Sequence, residues 1–403
     1  MTAPPRTPAP PSPQELIRRA RALVPEIRAR AEETERNRTI SAAIIAQIRE
    51  AELLRTTRPK EFGGFELDPT VALKIALTIS AACASTGWAV NGALSNGISF
   101  GHYPIETQRE LWGDGNDPFS CACFAPTGTA APVAGGYVLG GKWSFASGVD
   151  HASWIRLGAF VKSPDGDAAP GDGAFFLLPT ADVEIEDNWF VYGLCGTGSK
   201  NIIVRDAFVP EHRVLRFADT RAGRTAGAQH HQNPLYRLPL LVLGASMLAS
   251  TAVGAAKGAV ADYLEMTSGR RTRGALAGGG LAMAEFATVQ LRYAEAAAAA
   301  DAAELILTTN IRQAMAKLRA GEDITVDDRI RVRRDQAYAT RLALQAVDAL
   351  NASTGGAGLQ LSNPIQRAWR DVNAVARHVS LNWDAVGTMY GQHAFGLEPK
   401  GQY

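Results

Sequence analysis

Three residues with usable chemistry alternate in the segment 140–148 (GGKWSFASG): Trp143, Phe145 and Ser147. Alternate residues of a strand share a face, so this pattern predicts an aromatic surface beside a hydroxyl. A hydroxyl donates and accepts hydrogen bonds, and an imidazole such as His378 can also move a proton. Each also has a bland reading, a sheet face ending in a turn for the first and a core histidine for the second. The seven histidines (His102, His151, His212, His230, His231, His378, His393) show no i, i+3 or i+4 pair on a predicted helix, which argues against a metal site. No GxGxxG follows a strand, and neither HExxH nor GxSxG occurs. The run 193–200 (GLCGTGSK) lacks the order of a phosphate loop and reads as a Gly-rich β connection. Side chains alone therefore do not announce a reaction, and a cofactor that brings its own reactivity fits better.

The elements that hold these residues come next. The chain has 403 residues, 46% hydrophobic and 20% charged, with 41 basic against 40 acidic side chains. That is a globular composition without the basic excess of a nucleic-acid binder. Cys83, Cys121, Cys123 and Cys195 form no CxxC pair, which points to a reducing compartment and a cytoplasmic location. The Pro/Ala-rich tail 1–13 has no apolar core and does not read as a secretory signal. Residues 238–256 carry no charge, but their glycines, serines and alanines favour a buried bundle helix over a membrane span.

Composition divides the chain into an N-terminal helical domain (14–118), a central β domain (119–228) and a C-terminal helix bundle (229–403). Expected helices include one ending near residue 37, then 42–51, capped from Thr39 or Ser41, and 71–89. In the β domain, 135–148 reads as a hairpin, with strands over 174–178, 183–189 and 201–209. Helices return at 281–319, 330–350 and 364–395; the first would span roughly 55–60 Å, which calls for a partner bundle. The fold class is α+β, with a barrel-like β domain between two helical regions.

This order, together with 123–128 (CFAPTG), 140–148, 193–210 (ending FVP) and 364–371 (PIQRAWRD), resembles the acyl-CoA dehydrogenase fold. The dehydrogenases need a carboxylate to take a proton alpha to a thioester, and most place a Glu shortly after the "RD". Here no Glu occurs between Asp371 and Glu398, and His378 stands in that neighbourhood. The segments 82–88 (ACASTGW), 147–151 (SGVDH), 187–189 (DNW), 198–200 (GSK), Trp383-Asp384 and 396–399 (GLEP) are similar instead to the two-component flavin-dependent monooxygenases, such as the oxygenase component of p-hydroxyphenylacetate 3-hydroxylase.

The resemblance implies reduced FMN or FAD, delivered by a separate NAD(P)H:flavin reductase, and O2 as co-substrate. A flavin C4a-hydroperoxide would donate its distal oxygen to an electron-rich ring. Water must then be excluded, flavin N5 needs a hydrogen-bond partner, and an acid must stand near the peroxide. By resemblance Ser147 reaches N5 and His378 serves as the acid, both catalytic. Cys123, Phe124, Phe145 and Arg273 contact the flavin, Arg273 at its phosphate. The alternative for Arg273, a solvated basic loop, stays open. Trp88, Asn96 and Ala122 fall at substrate positions. The substrate class implied is a phenol, an indole or a related heteroaromatic; Asn96 and Ala122 stand where a relative keeps a phenol partner and a polar side chain, which points within it to an apolar ring such as an indole. A homotetramer, or at least a dimer, is implied, with no nucleic acid and no membrane. The competing reading is an acyl-CoA dehydrogenase oxidising a thioester with FAD.

Overall fold

The computed structural model describes residues 10–162, 168–272 and 280–403. Helix α1 (Pro13–Ala29) starts at Ser12, whose hydroxyl accepts from the Glu15 N–H, with Pro13 at its first position. Arg30 separates it from α2 (Ala31–Asn37), so the first charged helix is two. Ser41, of the two expected caps, accepts from the Ala43 N–H and starts α3 (Ala42–Glu50). Asp68 caps α4 (Pro69–Ala82). The expected single helix 71–89 breaks at Cys83, which is extended (φ −157°, ψ 115°), and α5 runs from Ala84 to Gly101, followed by α6 (Ile105–Trp112). The glycines, serines and asparagines of α5 are poor helix formers. The helix exists because nearly its whole length is buried.

The β domain holds β1 (Ser120–Val133), β2 (Gly136–Ala146), β3 (Trp154–Lys162), β4 (Ala168–Pro179), β5 (Glu184–Glu186), β6 (Lys200–Pro210) and β7 (Val214–Arg216). They form one sheet in the order β5-β6-β2-β1-β3-β4-β7, parallel only between β1 and β3. The segment 135–148 is not a hairpin by itself. Val133 pairs with Gly136, so the turn lies at Ala134-Gly135 and β2 is the return strand. The sheet curls on itself. Tyr137 on β2 and Phe176 on β4 are separated by two strands, about 14 Å when flat, yet their ring centroids are 5.5 Å apart. Trp143, Leu139, Ile155, Leu157, Phe176 and Ile202 fill the interior.

The alternation expected of Trp143, Phe145 and Ser147 fails. The β2–β6 register slips between Trp143 and Ala146. Trp143 is sealed inside, while Phe145 is 66% exposed with φ +72°. A bulge re-aims side chains in this way.

After α7 (Phe217–Ala222) and α8 (Ala226–His230), long helices return as α9 (Leu240–Ser268), α10 (Ala287–Arg319) and α11 (Val326–Ala352). Helix α9 is long and apolar enough to cross a membrane, but it is mostly buried in the bundle, as its small residues led us to expect. A Cβ at Gly254 or Gly258 would stand 2.6 Å from the Leu77 carbonyl oxygen or 2.2 Å from that of Ala81, so these glycines let α4 and α9 touch. Helix α10 starts later than expected, at Ala287. The expected helix 364–395 is α12 (Pro364–Ala376) and α13 (Trp383–Ala394), and the turn between them carries His378. Asn382 enforces the restart by accepting from the Ala385 N–H.

Candidate active site

The bulge, the start of α5 and the α12–α13 turn converge. The Trp88 indole N–H donates to Ser147 Oγ at 2.9 Å. Ser147 Oγ lies 2.7 Å from Ser199 Oγ, which lies 2.6 Å from Thr197 Oγ1, and Thr197 in turn donates to the Leu194 carbonyl. The Trp88 ring meets His378 edge-on, with centroids 5.6 Å apart. Trp88, Ser147 and His378, singled out separately in the sequence, are therefore one cluster. Ser199 and Thr197 were missed as site residues. Both lie inside the run 193–200, which reads as a Gly-rich connection, and Ser199 also inside the motif 198–200.

His378 is not on a helix, contrary to expectation. Its Nδ1 accepts from the Ser380 backbone N–H at 3.1 Å. A nitrogen that accepts carries no proton, so a neutral ring holds its hydrogen on Nε2, and no described residue hydrogen-bonds that atom. The Ser380 carbonyl accepts from Arg333, a buried guanidinium that also donates to Gln336 and to the Gln402 carbonyl. Burial, and secondarily the Arg333 charge, lower the His378 pKa from 6.5 to about 4. Histidine NMR of the flavin-free protein should then show the neutral Nε2–H tautomer from pH 8 to 5. The stabilisation that His378 contributes is present above pH 6.5 and is lost as the pH falls toward about 4, where the unfolded chain takes up the proton first. A titration midpoint near 6.5 contradicts this.

Phe145 projects its ring outward beside Trp189, with centroids 6.0 Å apart. A non-glycine residue at positive φ is strained, by about 1–3 kcal/mol. On β1, residues 124–127 have no ladder partner on β3, so their backbone groups are not spent in that pairing. An exposed aromatic, ladder-free backbone, the Ser147 hydroxyl and the His378 Nε2–H fit a flat heterocycle with polar edges, which is what a flavin ring system presents. Phe145→Gly should leave free-protein stability within about 1 kcal/mol, because relieved strain offsets the lost ring. It should nonetheless weaken reduced-flavin binding, measured by anaerobic titration. Unchanged affinity would remove Phe145 from the site.

Other expected site residues sit differently. The Cys123 thiol points into the barrel core, and burial pushes its pKa up to about 12, so only its backbone is available to a cofactor. The Phe124 ring meets Phe175 edge-on at 5.1 Å and lines a cavity of about 90 Å³ with Phe175, Phe217, Leu240 and Arg333. Ala122 lies on β1 immediately before Cys123, and Asn96 accepts from Ser120 Oγ at 2.8 Å. Arg273 lies outside the described residues. The remaining motifs brace the site. Lys200 bonds Asp150, Arg38 bonds both Asp187 oxygens, and His151 Nε2 lies 3.4 Å from Thr39 Oγ1. In the motif 364–371, Arg367 and Arg370 pair with Glu35, and Asp371 accepts from the Leu194 N–H. Elsewhere Glu61, His230 and His231 bring donor atoms within 4.8 Å of one another. There His230 bonds Glu61 and His231 bonds Gln108, so both imidazoles have protein partners.

Residues 11–113 match the acyl-CoA dehydrogenase N-terminal domain and residues 246–383 the C-terminal domain. The chain is 46% identical to the oxygenase component of an FADH(2)-dependent resorcinol hydroxylase from Rhizobium sp. (strain MTP-10005), over 96% of each chain. It superposes on the crystal structure of 3-HSA hydroxylase from Rhodococcus sp. RHA1 with a TM-score of 0.90 and 34% identity, covering 96% of this chain and 98% of that one. The chain belongs to the flavin-dependent monooxygenase oxygenase components. This oxygenase also matches XiaF from Streptomyces sp., solved in complex with FADH2 and glycerol, with a TM-score of 0.86, 29% identity and 97% coverage of each chain. The expected acyl-CoA dehydrogenase-like fold and monooxygenase subgroup are both borne out.

Proposed function

We propose that this oxygenase hydroxylates a small phenolic ring, using FADH2 received from a separate NAD(P)H:flavin reductase. The observation that carries the reading is the Trp88–Ser147–His378 cluster beside the outward-facing Phe145. FADH2 in the names of two relatives favours FAD over FMN. Resorcinol is the first substrate to try, since a relative of 46% identity is named for it. Bound reduced flavin supplies the electrons that activate O2. The protein's part is to position, to shelter and to hold protons. Ser147, fixed by Trp88 and Ser199, would offer its hydroxyl oxygen to a polar edge of a bound flavin. His378, in ring contact with Trp88, keeps a proton on Nε2 at neutral pH. The sealed Trp143 and the buried face of α5 keep water from behind the site.

Support for the dehydrogenase reading is weak on this geometry. Asp371 is a buried acid, its pKa lifted to about 6 mainly by burial, but one of its oxygens is committed to the Leu194 N–H. We further propose a cytoplasmic homotetramer. Leu291 and Leu305 on α10, Leu359, Leu361 and Phe395 are large apolar side chains left exposed, which association would cover. Light scattering reporting a monomer would overturn this part.

The deciding experiment mixes the protein, FAD, NADH, a flavin reductase and O2 with resorcinol, phenol or indole. Hydroxylated product with less H2O2 than a protein-free control supports the reading. Oxygen uptake that yields only H2O2 for the whole panel, or bleaching of bound FAD by an acyl-CoA, refutes it.

A further inference from the structure

A buried cation on the sheet stands without any acidic or hydrogen-bonding partner among the described residues. Arg156 on β3 is 5% exposed, and no hydrogen bond engages any of its nitrogens among the described residues. Nε and one terminal nitrogen are sealed without a partner, while the other terminal nitrogen is not sealed. The guanidinium lies between two rings, 5.0 Å from the Phe124 centroid and 5.3 Å from that of Phe175. Both rings are walls of the 90 Å³ cavity. Aromatic faces attract a cation, but they do not satisfy its N–H groups, and an unpaired buried charge is costly.

Its neighbours share the deficit. In the parallel ladder Arg156 pairs with Ala122, and Ser120 with Trp154, so the Asn96–Ser120 hydrogen bond lies on the same strands. Asn96 is 7% exposed, and its amide nitrogen has no partner. Tyr103, just past the end of α5, packs in one apolar cluster with Phe175 and Leu240 and is fully buried with an unpartnered hydroxyl. Three buried donor groups near the α5–sheet junction thus lack a hydrogen-bond partner among the described residues. A ring oxygen, as hydroxyl or phenolate, is the acceptor that such donors lack.

We propose that Arg156, Tyr103 and the Asn96 amide form a polar end beside the Phe124–Phe175 wall of the cavity and receive an oxygen substituent of the aromatic ring, preferably the second hydroxyl of a 1,3-dihydroxybenzene. This rests on the aromatic-hydroxylase reading and narrows its substrate. It also reverses the apolar preference inferred from Asn96 and Ala122, because the polar partner comes from the neighbouring strand.

The test compares resorcinol with indole, which carries no ring oxygen. Arg156→Met should lower the ratio of kcat/KM for resorcinol over indole by about 10- to 100-fold, the worth of a charged hydrogen bond. Most of the change should lie in KM. Arg156→Lys should restore part of the ratio. Tyr103→Phe, which keeps the ring and the packing, should lower it by about 3- to 10-fold. Calorimetric titration of resorcinol into the protein bound to reduced flavin, without oxygen, should weaken in parallel. If Arg156→Met does not fold, the lysine and phenylalanine variants decide. Equal losses for resorcinol and indole, or an unchanged ratio in both, overturn the proposal while wild-type hydroxylation still upholds the functional reading. If the wild type binds resorcinol but hydroxylates nothing, the functional reading falls and the titration alone judges the polar end.

Discussion

His378→Ala should lower hydroxylated product by about 10²- to 10⁴-fold, the usual contribution of a positioned acid–base group. Oxygen uptake should continue and appear as H2O2, because reduced flavin reacts with O2 without this side chain. The fold should survive. The histidine sits in a turn, and its loss leaves one backbone N–H, that of Ser380, without its acceptor, costing about 1 kcal/mol. The informative readout is therefore product formed per O2 consumed, set beside a thermal melt. His378→Gln, which can still donate a hydrogen bond but cannot carry an exchangeable charge near neutral pH, separates holding from proton transfer. If glutamine restores coupling, the residue acts by donating a hydrogen bond. If neither variant lowers coupling, His378 is not in the reaction, and the Trp88–His378 contact is only packing.

The second large effect is on stability. Trp143→Ala should cost about 3–5 kcal/mol, the range for removing a buried large aromatic. The side chain is completely buried, and its indole N–H donates to the Gly158 carbonyl at 2.6 Å. The ring lies so close to β1 that a Cβ on Gly128 would stand 2.0 Å from it. It thus ties β2 to β1 and β3 immediately before the bulge that turns out Phe145 and presents Ser147. A denaturant midpoint measures the loss, and flavin affinity should fall with it because the bulge is no longer anchored. A change under about 1 kcal/mol would mean that the barrel collapses around the vacancy, and Trp143 would then not set the bulge.

The Asn96 and Arg156 positions show where a residue-by-residue reading misleads. Seen alone, Asn96 and Ala122 make the substrate region less polar. The parallel pairing of β1 with β3 sets Arg156 beside Ala122, and nothing in a linear pattern marks an arginine on a strand as facing inward. Arginine is normally exposed, so its burial between Phe124 and Phe175 is a tertiary fact.

Composition, the change from helical to two-residue periodicity and back, and the short motifs at 82–88, 147–151, 187–189 and 198–200 determined the architecture and the segments that meet at the site. Those signals are local: caps, Gly turns and apolar spacing act within a few residues. Even some misses had a local sign, as with Asn382, a cap standing inside a stretch expected to be helical throughout. The tertiary structure alone decided three matters. It split 71–89 at Cys83, made α5 a helix through burial against poor propensity, and broke the strand alternation so that Trp143 turns inward and Phe145 outward. Each depends on contacts between residues far apart in the chain, where packing free energy outweighs the fractions of a kcal/mol per residue that intrinsic preference supplies.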